Sequence, residues 1–188
     1  TGAALASQPT MTRLENSASR TDLYRMARVL VDVFQDSYPS PPKGIILDMD
    51  DTDDPTHGAQ QMRLFNAYYD QYCFQPLHIY EGRSGKLITT ILRPGKRPNG
   101  REIRSIMKRL VGYIRERWPE VKIFLRGDSH FNASEVRSWC ENNGVKYVLG
   151  QTVYAPMKEE AAALLRQAED LYESSGKKVR LFKDFFYQ

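Results

Sequence analysis

The pattern of apolar and polar positions along the chain predicts a protein of mixed helices and strands. Apolar residues recur at helical spacing over residues 22–34 and again over residues 103–114, which predicts two amphipathic helices. Short apolar runs typical of buried strands occupy residues 45–47 and 121–125, and a further short strand is predicted at residues 146–149.

Between the first strand and the second helix, the pattern predicts a β-hairpin. Residues 76–81 and 86–92 form its strands, and a Gly-Arg-Ser-Gly turn joins them. The aromatic-rich residues 59–74 show no clear period. Towards the end of the chain, a helix is predicted at residues 156–172 and a last strand at residues 178–186.

Two capping signals mark where helices begin. Asn99 with Glu102 three residues later is a capping-box signature, and Asn132 with Glu135 repeats it. Gly144 stands where the second of these helices would end. Three meandering strands followed by alternating helices and strands predict an α/β fold, with a mixed sheet and helices packed on it.

The first apolar strand is followed by an unusual concentration of acidic residues. Five aspartates lie within seven positions: Asp48, Asp50, Asp51, Asp53 and Asp54. Carboxylates crowded at the end of a buried strand repel one another, and burial adds to the cost of each charge. A divalent cation relieves both effects, because Mg²⁺ and Ca²⁺ prefer hard oxygen ligands. The cluster therefore predicts a metal site, although a solvated acidic turn would also explain it.

A second aspartate, Asp128, is placed like Asp50 at the end of an apolar strand. Asp48 and Asp50 are two residues apart, so they point to the same face of a strand. Asp128 follows the strand at residues 121–125, and ligands of open α/β sheets bind at such carboxyl ends. If the two strands are neighbours, Asp50 and Asp128 can share a metal. Two such ions could activate an attacking oxygen and stabilise a leaving one in phosphoryl transfer.

The charge distribution suggests a polyanionic partner. The net charge is only +4, but residues 93–117 contain nine Lys or Arg and two Glu. Cations of this kind can hold phosphates while carboxylates hold a catalytic metal, although a basic helix face is often merely solvated. The DNA-contact candidates are Arg93, Lys96, Arg97 and Arg126. No apolar run is long enough to span a membrane, and no signal peptide is recognisable.

Several motifs together resemble one family. The segments LDMDDTDDPTHG, PLHIYEGRSGKL, LRPG and LRGDSHF, in this order, resemble the DDE transposases of bacterial insertion sequences, in particular the insertion-sequence 1380 family. The leading QPTMTRLEN resembles the segment before the catalytic core there, so the resemblance covers nearly the whole chain. It implies a ribonuclease H-like fold and metal-dependent DNA cleavage and strand transfer.

The resemblance also implies cofactors and partners. These are a two-metal site for Mg²⁺ or Mn²⁺, double-stranded DNA as terminal repeats and target, a homodimer, and a bacterial cytoplasmic location at the nucleoid. Residues 1–40 would be an N-terminal extension with one helix. Residues 41–150 would be the first part of the catalytic core, and residues 151–188 a helix and the start of a β-rich insertion.

Carried over residue by residue, Asp50 resembles the first catalytic aspartate and Asp128 the second. Both would bind metal, with Asp48 as a further candidate ligand because it shares a face with Asp50. The third acid of the family is a glutamate on a helix beyond the insertion, so we expect it past Gln188. The chain is therefore expected to be a fragment that is inactive alone.

Two other functions remain open from the residues. In a haloacid-dehalogenase-type phosphatase, Asp48 would be the nucleophile, Asp50 the acid/base and Asp128 a Mg²⁺ ligand. A non-catalytic DNA-binding module would explain the basic run but leave the aspartates without a role. His57 and His130 could contact DNA or metal-bound water, but hydrogen-bonded structural roles are favoured for both.

Overall fold

A computed structural model of the chain describes residues 6–185. The chain divides into two compact units, Thr1–Gly150 and Gln151–Gln188. In chain order, the helices and strands of the first unit are α1 (Gln8–Glu15), α2 (Arg20–Asp36), β1 (Gly44–Asp51), β2 (Asp54–Pro55), β3 (Leu64–Asn66), β4 (Gln71–Phe74), β5 (Leu77–Glu81), β6 (Leu87–Ile91), α3 (Gly100–Arg117), β7 (Lys122–Gly127), α4 (Ser134–Asn142) and β8 (Val145–Leu149).

Five of these strands form the main sheet, in the order β6-β5-β1-β7-β8. β1 pairs antiparallel with β5 and parallel with β7, while β8 pairs parallel with β7. The hairpin strands β5 and β6 are antiparallel neighbours at one edge. This mixed sheet has the strand order of a ribonuclease H-like fold, which confirms the fold class that the sequence predicts.

Alternation along the strands explains how the sheet packs. In β1, Ile45, Leu47 and Met49 are buried, whereas the intervening side chains are more exposed. The helix α3 contributes buried residues at helical spacing to the same core: Ile103, Met107, Leu110, Val111 and Ile114. α2 packs on β6 and α3, and α4 packs on α3 and β8. One continuous apolar core therefore holds the sheet and helices together.

A second, smaller sheet follows the aspartate cluster. Its strands have the order β2-β4-β3 and lie in the aromatic-rich stretch where the sequence shows no period. These strands contain two to four residues, which is too short for an alternation to be recognised. The pattern of apolar residues therefore does not predict the small sheet.

The helix boundaries confirm one capping prediction in part and correct another. Asn99 caps α3, because its side chain accepts a hydrogen bond from the Glu102 amide at 2.9 Å. The Glu102 carboxylate does not complete a capping box, since it accepts from Arg93 Nε at 2.7 Å. In α4 the N-cap is Ala133, and no side-chain cap is present. Asn132 instead donates to the Gly150 carbonyl at 2.9 Å, so it ties two loops together rather than starting the helix. Where one helix was expected in residues 1–40, the described part contains two, α1 and α2.

The second unit contains the helix α5 (Ala155–Ser175), which ends at the left-handed Gly176. The last strand, predicted at residues 178–186, is wrong for residues 178–185, which are irregular; residue 186 lies outside the described part. A strand needs a neighbour for its backbone groups, and the described part of this unit offers only a helix. None of the helices between residues 6 and 185 combines the length and apolar composition that crossing a bilayer requires.

The hairpin turn next to β1 is held by a buried carboxylate, that of Glu81, which is 2% exposed. Ser84 donates to it through its amide and its hydroxyl, both at 2.7 Å. The amides of Arg83 and Ile46 donate at 3.1 and 3.2 Å, respectively. Burial acts to raise the pKa of Glu81, but these hydrogen bonds outweigh it and lower the pKa below its ordinary value.

We therefore predict that Glu81→Gln lowers the free energy of unfolding at pH 7 by about 2 kcal/mol, because the turn loses a charged acceptor. Because the pKa of Glu81 is lowered in the folded state, its ionised carboxylate stabilises the folded protein at pH values above the ordinary pKa of 4.5. This stabilisation is lost as the pH falls below 4.5 and through the lowered pKa. The difference between the two proteins in urea unfolding should thus shrink below about pH 4.5. The exposed Glu120→Gln is the control. An equal loss in both variants would contradict the prediction.

Candidate active site

The two aspartates singled out by the sequence follow neighbouring parallel strands. β1 and β7 pair in a constant register, whose last pair is Met49 opposite Gly127. Asp50 is the next residue of β1, and Asp128 is the next residue after β7. Both aspartates are exposed. The strands are therefore neighbours, as the shared-metal interpretation requires. The two residues occupy corresponding positions at the carboxyl ends of these two central strands.

Asp48 has a different environment from Asp50, although it shares its face. It lies opposite Arg126 in the strand pairing. The Arg126 Nε donates to Asp48 Oδ1 at 2.6 Å, and Nη2 donates to Oδ2. This two-point hydrogen-bonded pair holds the pKa of Asp48 below its ordinary value and raises that of Arg126. A metal at Asp48, or a phosphate at Arg126, would have to displace the pair, so the geometry favours Asp50 as ligand.

Asp51 is the residue that the sequence reasoning did not single out. Its side chain is 4% exposed, and Oδ1 lies 3.1 Å from His130 Nδ1. Oδ2 is buried and has no hydrogen-bond partner within the described part of the chain. The alternation of β1 offered a signal, because Asp51 continues the buried series of Leu47 and Met49.

His130 also contacts the second aspartate. Its backbone amide donates to Asp128 Oδ1 at 2.8 Å. One residue therefore contacts Asp51 through its ring and Asp128 through its backbone. This agrees with the structural role favoured for His130.

Close packing holds the loop that contains Asp128. A Cβ atom on Gly127 would lie 2.8 Å from the Phe131 ring, and one on Gly150 would lie 2.9 Å from the Ser129 nitrogen. The Gly150 amide donates to the Gly127 carbonyl at 2.9 Å. Glycine is thus needed at both positions for the backbone to approach so closely. The loop is held between the ends of β7 and β8.

The basic candidates fall into two groups. Arg93 is 2% exposed; its Nε donates to Glu102 Oε1 at 2.7 Å, and its Nη1 to the Gln75 carbonyl at 3.3 Å. The expectation that Arg93 contacts DNA is therefore wrong, because its guanidinium is buried and already paired. Lys96 and Arg97 are exposed, and Arg97 donates to the Ser129 carbonyl at 2.5 Å, beside the second aspartate.

The residues at the strand ends fit a divalent metal ion in their donor chemistry. Carboxylate oxygens are hard ligands of the kind that Mg²⁺ and Mn²⁺ prefer, and Asp50 and Asp128 present exposed carboxylates. Over the same residues, no three His, Cys, Asp or Glu side chains converge in an arrangement that could hold a metal. The described site therefore provides part of a ligand set.

A ribonuclease H-like sheet with exposed carboxylates at the ends of adjacent parallel strands is typical of metal-dependent enzymes that cut and join nucleic acid strands. The family model described as "Transposase DDE domain group 1" matches residues 1–188. The chain therefore belongs to this family of transposase DDE domains. Proteins of this family generally use divalent metal ions.

Solved structures with a similar fold include a transposase and an integrase core domain. The piggyBac transposase in a synaptic complex with hairpin DNA aligns with a TM-score of 0.45 and 14% identity, over 65% of this chain and 26% of that chain. The catalytic core domain of BIV integrase aligns with a TM-score of 0.37 and 16% identity, over 69% of this chain and 71% of that chain. The chain thus spans about a quarter of the piggyBac chain. A comparison with curated proteins found no match.

The different environments of the basic residues lead to a prediction for DNA binding. If Lys96 and Arg97 contact DNA, Lys96→Ala and Arg97→Ala should each reduce the log–log salt slope of DNA affinity by about one, because each would remove one phosphate contact. Arg93→Ala should leave the slope unchanged but lower the free energy of unfolding by about 3 kcal/mol, because Glu102 loses its partner. Fluorescence anisotropy at several salt concentrations and urea unfolding measure both effects. A flatter slope with Arg93→Ala and unchanged stability would contradict the assignment.

Proposed function

We propose that this chain forms part of the catalytic core of an insertion-sequence transposase, with Asp50 and Asp128 as its first two catalytic carboxylates. The observation that carries the proposal is the parallel register of β1 and β7, which brings both residues to one edge of the sheet. Membership of the transposase DDE domain family supports it.

The finer assignment rests on the sequence motifs. The order of LDMDDTDDPTHG, PLHIYEGRSGKL and LRGDSHF favours the insertion-sequence 1380 family. The substrates would then be double-stranded terminal repeats and target DNA, handled by a homodimer of the whole protein in the bacterial cytoplasm. The basic residues of the 93–117 segment that remain exposed would provide the sequence-independent part of DNA affinity.

The side chains have distinct roles in this proposal. Asp50 and Asp128 would hold Mg²⁺ or Mn²⁺ through their carboxylate oxygens. When bound, such ions supply Lewis-acid stabilisation of the charge that develops during phosphoryl transfer. Lys96 and Arg97 would hold the phosphate backbone beside the Asp128 loop. Arg126 neutralises Asp48 and so reduces the negative charge that a DNA strand would meet next to Asp50.

The alternative functions are less compatible with these contacts. A phosphatase would need Asp48 as a nucleophile, but both oxygens of this carboxylate accept hydrogen bonds from Arg126. A DNA-binding module without catalysis would place the exposed Asp50 and Asp128 close to phosphates with nothing to relieve the repulsion. The transposase proposal uses both features.

The metal site can be tested by Mn²⁺ binding, followed by electron paramagnetic resonance. We expect weak binding by the 188-residue chain, and at least about tenfold weaker binding for Asp50→Asn and for Asp128→Asn, because each removes a charged ligand. Asp54→Asn is the matched control, since Asp54 is an exposed member of the same aspartate cluster. An equal loss with Asp54→Asn would show diffuse attraction to the cluster and would contradict a site at the two strand ends.

The incomplete ligand set leads to a second expectation. The chain alone should neither nick plasmid DNA nor hydrolyse an aryl phosphate in Mn²⁺, because two carboxylates hold metal ions too loosely for phosphoryl transfer. Gel analysis and phenolate release measure the two reactions. Nicking that disappears in Asp50→Asn would show that a third acid is already present. Aryl phosphate turnover that disappears in Asp48→Asn would favour the phosphatase.

A further inference from the structure

Asp51 and His130 form a connection between the two strands that carry the candidate carboxylates. Asp51 ends β1, and its Oδ1 lies 3.1 Å from His130 Nδ1. The His130 amide lies 2.8 Å from Asp128 Oδ1 and donates to it. A single residue thus links the end of β1 to the carboxylate that follows β7, and no step of the proposed chemistry uses it.

The chemistry of the two groups determines the direction of the ring contact. An ionised carboxylate can only accept hydrogen bonds, so we take Nδ1 of the ring as the donor to Asp51. Asp51 is almost fully buried, and its second oxygen has no partner in the described structure. Burying a carboxylate with one unpaired oxygen costs free energy. The hydrogen bond to His130 therefore contributes more to the stability of the folded state than an exposed hydrogen bond would.

Asp51 is poorly placed to bind the same ion as Asp50. Successive side chains of a strand point to opposite faces, and Asp51 belongs to the buried series of β1, whereas Asp50 is exposed. Any effect of Asp51 on the candidate metal ligands must therefore pass through another residue. His130 provides that route, because the residue whose ring contacts Asp51 also donates its backbone amide to Asp128.

We propose that Asp51 and His130 are positioning residues for the Asp128 carboxylate. Asp51 holds the ring through Nδ1, and the His130 amide then orients Asp128 by occupying Oδ1, which leaves Oδ2 for a metal ligand. The proposal rests on the proposed function for its link to metal, but the orientation of Asp128 is a property of the protein alone. Partners that orient the ligands of a metal are commonly worth ten- to a hundredfold in affinity.

Amide substitutions at His130 test which ring nitrogen matters. An Asn side chain places its N–H close to the position of Nδ1, whereas a Gln side chain places it near Nε2. We expect His130→Asn to retain the contact to Asp51, and His130→Gln and His130→Ala to lose it. A role limited to filling space would not separate Asn from Gln in this order.

Two readouts are measured on the whole chain, with thermal unfolding to confirm that each variant is folded. The first is Mn²⁺ affinity, expected to be within about twofold of wild type for His130→Asn and about tenfold weaker for His130→Gln and His130→Ala. The second is hydrogen exchange of the residue 130 amide without metal. We expect about tenfold faster exchange in His130→Gln and His130→Ala only, because the bond to Asp128 then opens more often.

The outcomes separate this proposal from the metal site. If the exchange rates follow the expected order but no variant binds Mn²⁺, positioning stands and the metal proposal fails. The positioning role through Nδ1 is overturned, whatever the metal affinity, if the residue 130 amide exchanges at the same rate in all three variants. It is also overturned if exchange stays slow in His130→Gln and becomes fast in His130→Asn.

A double variant tests Asp51 itself. Asp51→Ala combined with His130→Ala should accelerate amide exchange no more than either single change, because the two residues act as one unit. Additive effects would show that Asp51 and His130 act independently and would overturn their coupling. If Asp51→Ala does not fold, Asp51→Asn, which keeps an acceptor oxygen, should retain slow exchange of the amide; fast exchange would count against the proposal.

Discussion

The parallel pairing of β1 with β7 is the constraint on which the candidate site depends. Strands far apart in sequence become neighbours, and their register makes Asp50 and Asp128 the first residues beyond the last common pair. Parallel strands cannot be joined by a tight turn, so the connection must leave the sheet and return. The small sheet, the hairpin, the loop with the basic residues and α3 form that connection, and α3 buries its apolar face on the core. The core and the site therefore result from the same pairing.

The aspartates of the acidic cluster lie in different electrostatic environments. Asp48 is neutralised by Arg126, Asp51 is buried against His130, and Asp50 is left exposed at the strand end. Each position differs because the strand alternates its faces and because its neighbours provide different partners. Pairing Asp48 with Arg126 limits the repulsion around the exposed Asp50. This division allows a high density of aspartates while Asp50, at the end of β1, stays open to a ligand.

The basic segment shows the same division of labour. Arg93 holds the loop before α3 onto that helix through Glu102, and Arg115 and Arg117 bind the Asn143 carbonyl and Asp36, respectively. Arg97 contacts the Asp128 loop while remaining exposed. Part of the positive charge therefore stabilises the fold, so the count of cations overstates how many can meet phosphates. Of the exposed remainder, Arg97 lies beside the Asp128 loop through its bond to the Ser129 carbonyl, which is where an enzyme acting on DNA would need a cation.

Local patterning determined much of this protein in advance. The apolar runs of β1 and β7, the hairpin, the stripe of α3 and the Asn99 cap follow from periodicity and capping chemistry, which act over a few residues. The motifs also indicated the family, whereas the burial of Asp51 was not predicted, although it continues the odd-numbered buried series of β1. Only the tertiary structure decided that Arg93 is buried, that Asn132 binds Gly150 instead of capping α4, and that Arg126 occupies Asp48. Each of these depends on a partner from a distant part of the chain, and such a partner is chosen by strand register and core packing rather than by local sequence.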